Sequence, residues 1–397
     1  MTTEIIITVC VLLLLAYLFD LTSSKTKIPS VILLLALGWM AKQGAAFLGI
    51  HIPNLSGLLP IFGTIGLILI VLEGALELDY DRSKLRMIRK SALVAVLPML
   101  VLALGLSFAF QYFGGYRFKD CLVNAIPLCV ISSAIAIPTA ANLDADKKEF
   151  VIYETSLSDI IGVVFFNFVA LNEDINTGAF GHFFIEILSI LIVSFVATIG
   201  LSFFMSKIRH HIKFGPIIIT ILLIYGVSKL YHLPGLIFIL LFGLFLGNLD
   251  EFKRHKWIEK LHPEKLKKEV LLFRDISGEA AFLVRALFFI LFGFLMDTEE
   301  VLNPDTLGWA AAIVGAIFLV RAVCLKLAKI ELLPLLFLAP RGLITILLFY
   351  SITPMNQIGL VNKSLIIQVI LLSALMMMVG VMASKKKNPA PAEVPAV

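Results

Sequence analysis

Long apolar runs separated by short polar segments set the character of this chain. A helix that crosses a bilayer needs about 20 mostly apolar residues. Thirteen segments fit that pattern: 4–22, 28–50, 58–78, 91–113, 119–143, 149–171, 182–206, 213–231, 234–250, 270–297, 307–329, 332–352 and 362–384. The polar connections are mostly short, so consecutive helices run antiparallel. An odd number of spans puts the two termini on opposite sides. The first span opens on Glu4, with no basic residue before it and no small-residue cleavage site. It reads as a permanent helix and not as a signal peptide. The longest polar stretch, 251–269, alternates Lys and Glu and predicts a surface helix. The chain therefore divides into one membrane domain, 1–384, and a short polar tail, 385–397, whose composition predicts disorder.

Composition sharpens this picture. Of 397 residues, 59% are hydrophobic and only 15% charged, against about 25% charged in ordinary soluble proteins. A water-soluble enzyme, a disordered chain and a disulfide scaffold are excluded. Cys10, Cys121, Cys129 and Cys324 lie scattered in apolar stretches and read as packing residues. The seven histidines fall in loops or at span ends, without metal-ligand spacing inside a span. No cofactor is expected, and no metal beyond a transported ion. A membrane enzyme would need paired carboxylates or a His cluster at one interface, and neither is found, so the chain reads as a non-enzyme.

The formal net charge of +5 is a matter of topology. Twenty-four of the 33 basic residues fall in one set of loops, their adjoining span ends and the tail, five in the opposite loops or at span ends beside them, and four (Arg274, Arg285, Arg321, Arg341) farther inside spans. The basic side is cytoplasmic by the positive-inside rule. That makes the N-terminus external and the C-terminus cytoplasmic, in a plasma or inner membrane. No soluble basic face remains for nucleic acid.

The charges left inside spans are the candidates for chemistry, because an ionisable group at mid-bilayer costs at least about 2.5 kcal/mol. Asp159 is the clearest. It lies about ten residues into span six, roughly 15 Å deep. Thr155 and Ser156 share its helical face. A carboxylate with hydroxyls suits a hard monovalent cation or a proton; the structural alternative is an Asp paired with an Arg, for which hydroxyl acceptors would be poor company. In span five, Pro138 removes a helix bond and predicts a break that frees carbonyls in the preceding turn. In span twelve, Pro340-Arg341-Gly342 predicts a second break. Interruptions in the two halves, around a midplane carboxylate, are the pattern of inverted-repeat transporters. Glu154 and Arg321 lie at overlapping depths and can form an ion pair. Glu73, near the cytoplasmic end of span three, could join that pair, assist ion entry, or simply sit at the interface. Glu279 and Arg285 receive no role in transport.

These residues resemble the cation:proton antiporter superfamily, which includes bacterial sodium/proton and potassium/proton exchangers. The resemblance covers nearly all thirteen spans. Residues 28–79 look like the family's second and third helices. Glu154-Thr155-Ser156-Leu157-Ser158-Asp159 looks like its "Glu-Ser-Leu-Leu-Asn-Asp" signature. Arg321 falls where the family has a basic residue, and Pro340-Arg341-Gly342-Leu343 looks like its "Arg-Gly" break. The resemblance implies Asp159 as the cation and proton ligand and a Glu154–Arg321 bridge that holds the core. It also implies an all-α, inverted-repeat fold with two crossing discontinuous helices, five and twelve, and a homodimer in lipid. The core is expected around spans 3–6 and 10–13, with the remaining spans as scaffold. Two departures stand out. Where electroneutral sodium exchangers usually read Thr-Asp-Pro, this chain has Ser133-Ala134-Ile135, and Ser132 through Ala136 looks more like the potassium-efflux Kef branch. Ser158 replaces the residue that distinguishes the main branches.

The resulting expectation is exchange of protons for a monovalent cation, sodium first. The cation would be held by Asp159, Thr155, Ser158 and the span-five backbone near Ser132 and Ser133. One working carboxylate implies one proton per cation and no net charge movement, with protons competing at low pH. The alternatives are a potassium/proton or Kef-like system, and a membrane sensor of the same fold that has lost transport.

Overall fold

The computed structural model describes residues 2–26, 28–50, 52, 54–78, 84–141, 143–173, 177–207, 214–231, 233–249 and 263–384. Its helices are α1 (Thr2–Thr26), α2 (Ser30–Phe47), α3 (Leu58–Glu77), α4 (Leu85–Gly114), α5 (Phe118–Cys129), α6 (Ser133–Ala140), α7 (Ala145–Leu171), α8 (Thr177–Lys207), α9 (Phe214–Leu230), α10 (Leu236–Gly247), α11 (Pro263–Leu295), α12 (Thr298–Val301), α13 (Pro304–Leu327), α14 (Leu343–Tyr350) and α15 (Lys363–Ala383). Every one of the thirteen expected spans carries helix. Lipid offers no partner for backbone N–H and C=O groups, so an apolar run of this length must satisfy them internally. Among the described residues nine segments are long and apolar enough to cross a membrane, and three shorter apolar helices stand beside them.

The ends follow local chemistry. Gly115 terminates α4 in the left-handed region, at φ +67°, where a side chain would be strained. Asn303 caps α13, its side chain accepting from the Asp305 amide, with Pro304 in the first turn. Pro263 opens α11, so the last residues of the expected surface helix belong to a span. The rest of that stretch and the tail 385–397 lie outside the described residues.

Packing sorts the helices into two sets. In the first, α11 lies closely against α2 and α3, α10 against α3 and α8, with α1 and α9 at the margins. The second holds α4, α5, α6, α7, α13 and α15. Spans three and ten, expected in the core, thus pack chiefly with the other set. Small residues are the reason. A Cβ on Gly38 of α2 would collide with the Ile290 carbonyl of α11, and one on Gly293 of α11 with the Leu35 carbonyl of α2. Gly247 of α10 lies against the Leu76 backbone of α3 in the same way. In lipid such close backbone approach drives association. Gly293→Leu is therefore expected to destabilise by at least about 1–3 kcal/mol, read as a lower melting temperature in detergent. An unchanged melting temperature would refute this contact.

The sets meet where α14 and α7 lie on α3, across Gly63, Gly66 and Gly74. On the side away from the basic loops, Lys42 of α2 pairs with Asp297, which begins the connection from α11 to α13. Hydrogen bonding from Lys42 holds the exposed Asp297 carboxyl below the usual carboxylate range. At the other end of that connection Lys363 of α15 binds Glu300 at 2.8 Å. The short link between the two sets is thus fastened to both.

Candidate functional site

Two spans are interrupted, and their interruptions touch. Span five leaves helix at residues 130–132, between α5 and α6. Span twelve has a single 3-10 turn, Leu335–Phe337, then extended chain until α14 begins. The Ser132 amide donates to the Pro340 carbonyl at 2.9 Å. The Ile131 amide donates to Ser158 Oγ at 3.0 Å. A Cβ on Gly342 would stand 2.7 Å from Ser132 Oγ, so glycine is what lets the breaks close on one another.

The break in span five precedes Pro138. That proline lies inside α6, which continues through it to Ala140. A proline deletes one helix bond without ending a helix whose other bonds are kept. What stops the helix is a set of bonds to other spans, which local sequence does not announce. Pro340, Arg341 and Gly342 do lie in the extended part of span twelve.

Asp159 is buried in α7, 1% exposed. Among the described residues neither of its oxygens has a hydrogen-bond partner, and the same holds for the buried hydroxyl of Ser132. The hydroxyl and amide of Ser133, at the N-terminus of α6, face the carboxylate without completing a hydrogen bond. The positive end of the α6 dipole therefore points at the acid. Thr155 Oγ1 donates to the Val151 carbonyl at 2.8 Å, which leaves its lone pairs free. Ser158 is differently placed. Its hydroxyl accepts the Ile131 amide, so it braces the break. Ser156 turns toward α3, where a Cβ on Gly74 would lie 3.2 Å from its Oγ.

The charged pair beneath the site is complete. Arg321 Nη2 donates to Glu154 Oε2 at 2.9 Å, and Nη1 donates to Oε1. Arg321 Nε donates to the Leu335 carbonyl at 2.9 Å, tying α13 and α7 to the first half of span twelve. Both side chains are buried. Glu73 does not join this pair. It is half-buried at the junction of α3 and α11, where a Cβ on Gly278 would lie 3.3 Å from its Oε1. Its charged surroundings are Arg285, Glu77 and Asp20.

Sequence reasoning missed how Arg341 is used. Its Nε donates to the Leu128 carbonyl at 2.7 Å and its Nη1 to the Ala339 carbonyl at 3.0 Å. Leu128 is in the last turn of α5, so the guanidinium covers the negative end of that half-helix. Ser373 of α15 accepts the Arg341 amide at 3.0 Å. Lone hydroxyls in otherwise apolar runs were the available signal. Thr345, three residues past the span-twelve break, is another: its hydroxyl is buried and unpaired. Among the described residues no group of three His, Cys, Asp or Glu is arranged to hold a metal ion. The oxygens around Asp159 form a smaller set, suited to a monovalent ion or a proton.

The chain matches the model of the sodium/hydrogen exchanger transmembrane family over residues 10–384. Among solved structures it is similar to the sodium proton antiporter MjNhaP1 of Methanocaldococcus jannaschii at pH 8, with 19% identity, 96% of each chain covered and a TM-score of 0.67. A second structure of MjNhaP1, from an electron-microscopy map, gives 20% identity, 96% and 95% coverage and the same TM-score of 0.67. At that identity the likeness is one of fold. No curated protein matches the chain.

Proposed function

This chain belongs to the sodium/hydrogen exchanger family, and from that premise we propose that it exchanges a proton for a monovalent cation, sodium first, one for one at Asp159. The observation that carries the reading is a buried carboxylate that, among the described residues, has no hydrogen bond or ion pair and lies beside two interrupted spans. Such a group is costly to leave charged. A proton neutralises it, and so does a cation that also takes oxygens from Thr155, Ser132 and Ser133. Ser158 acts through the backbone that it holds. The two ligands compete for one site, so release of one accompanies binding of the other.

In this reading the second helix set carries Asp159 across the barrier against the first. The first set is the scaffold and the homodimer contact. The set moves when the carboxylate is neutralised by either ion and stalls when it is bare, which couples the two fluxes. Glu154 is bound to Arg321 and takes no part in the exchange. One titrating acid then moves no net charge per cycle. The basic loops face the cytoplasm, and Glu73, on that side, lies where entering cations would pass.

The departure at the span-five break supports one rival, potassium/proton exchange, since hydroxyls replace the carboxylate there. A sensor that has lost transport is the rival of another class. Proteoliposomes separate all three. Sodium added outside is expected to drive proton movement more strongly than potassium, with lithium close to sodium. The rate is expected to be independent of a clamped membrane potential and to fall at low pH as protons occupy the site. Potassium preference would select the first rival. Silence with every ion would select the second, and a rate that follows voltage would reject one-for-one exchange.

A further inference from the structure

A small cavity lies within the second helix set, lined by Ala95, Pro98 and Met99 of α4, by Cys129, and by Arg321 and Arg341. It has room for about one water-sized particle. None of its lining residues is acidic. Its polar side chains are donors, and the Cys129 thiol is already used on the Ala125 carbonyl at 3.2 Å. Everything else facing it is apolar or backbone.

Charge around this cavity is out of balance. Arg341 is 1% exposed and makes no ion pair among the described residues. Of its hydrogen bonds, one goes to the Leu128 carbonyl and one to the Ala339 carbonyl, and its amide goes to Ser373. Glu154 is the acid within its electrostatic reach, but Arg321 holds both of that acid's oxygens. Two guanidiniums thus share one carboxylate. The carbonyl end of a half-helix supplies only about half an elementary charge, and a buried charge without a counter-charge is strongly disfavoured.

We propose that this cavity binds a small monoatomic anion of the halide class, held by Arg341 and Arg321. The lining repels a cation. A neutral water would meet donors on its polar side and leave the second arginine uncompensated. A halide accepts from several donors at once, needs none in return and tolerates the apolar walls. The anion is resident and not cargo. Its place is beside both interruptions, so its binding fastens the extended chain of span five and span twelve to α4 and α13. This inference does not depend on Asp159 being the transport site.

The test uses the full chain in detergent, melted at fixed sodium concentration with chloride, bromide or gluconate as counter-ion. Chloride and bromide are expected to raise the melting temperature saturably, by a few degrees, relative to gluconate. Ala95→Leu fills the cavity without changing charge and is expected to abolish that difference. Asp159→Asn is expected to keep it, which separates this site from the transport reading. A crystal grown in bromide should give an anomalous peak between the two guanidiniums of the unaltered protein, whatever the folding of the variants. Equal melting in halide and gluconate, an undiminished halide effect in folded Ala95→Leu, or no bromide peak there would each overturn the proposal.

Discussion

Asp159→Asn is expected to abolish cation-driven proton movement in proteoliposomes while leaving the protein folded. The loss should be at least about 100-fold, since removing even a supporting group of a cation site costs 10–100-fold, and among the described residues Asp159 is the buried carboxylate at the interruptions that has neither a hydrogen bond nor an ion pair. The substitution keeps the shape of the side chain and removes both the charge and the titratable proton. It also removes the cost of a buried acid with no hydrogen-bond partner, so the melting temperature should hold or rise. A second readout follows from linkage. Sodium should raise the melting temperature of the unaltered chain and do so less or not at all in Asp159→Asn. Transport retained by a folded Asp159→Asn protein would end the assignment.

Glu154→Gln should act in the opposite way, through the fold. Breaking a buried ion pair by removing one partner costs about 3–5 kcal/mol, which is a drop of several degrees in melting temperature. The two partners are not equivalent. Arg321→Gln leaves a glutamate that can take a proton. Glu154→Gln leaves Arg321 charged, with Arg341 close enough to feel it. An arginine cannot shed its proton to escape. Glu154→Gln is therefore expected to lower the melting temperature more than Arg321→Gln, although Arg321 also holds the Leu335 carbonyl. A double variant, Glu154→Leu with Arg321→Met, should recover part of the loss, because the remaining cost of an empty pair is mostly packing. Equal melting of Glu154→Gln and the unaltered chain would refute a structural role for the pair. Comparing the Asp159 and Glu154 variants in one assay separates an ion ligand from a girder.

How much of this could be read from the chain depends on what fixes each feature. The spans were legible because apolar run length is a local property and lipid leaves the backbone no alternative to helix. The candidate residues Asp159, Glu154 and Arg321 were legible for a related reason: a charge in an apolar run is expensive wherever its helix packs. Pro340, Arg341 and Gly342 were legible because proline and glycine together rarely continue a helix. The span-five break was placed too late, at Pro138. Residues 130–132 carry no breaker of their own, and the amides of Ile131 and Ser132 are taken by Ser158 and by Pro340, which are distant in sequence. Ser158 and Glu73 were assigned from their position along one helix, whereas their surroundings come from others. The grouping of spans three and ten also escaped, since it rests on which glycines face each other across α2, α10 and α11.

The sequence by itself determined that this is a membrane protein of about thirteen helices, with its basic residues gathered on one set of loops and an acid, Asp159, deep in a span. Each of those follows from transfer free energies, which add up residue by residue along the chain. Only the tertiary structure decided that the two interruptions share a hydrogen bond, that Arg341 covers the end of α5, that Arg321 grips both oxygens of Glu154, and that Asp159 is left with none. Those are matters of direction and distance between helices far apart in the chain, and no local pattern encodes them.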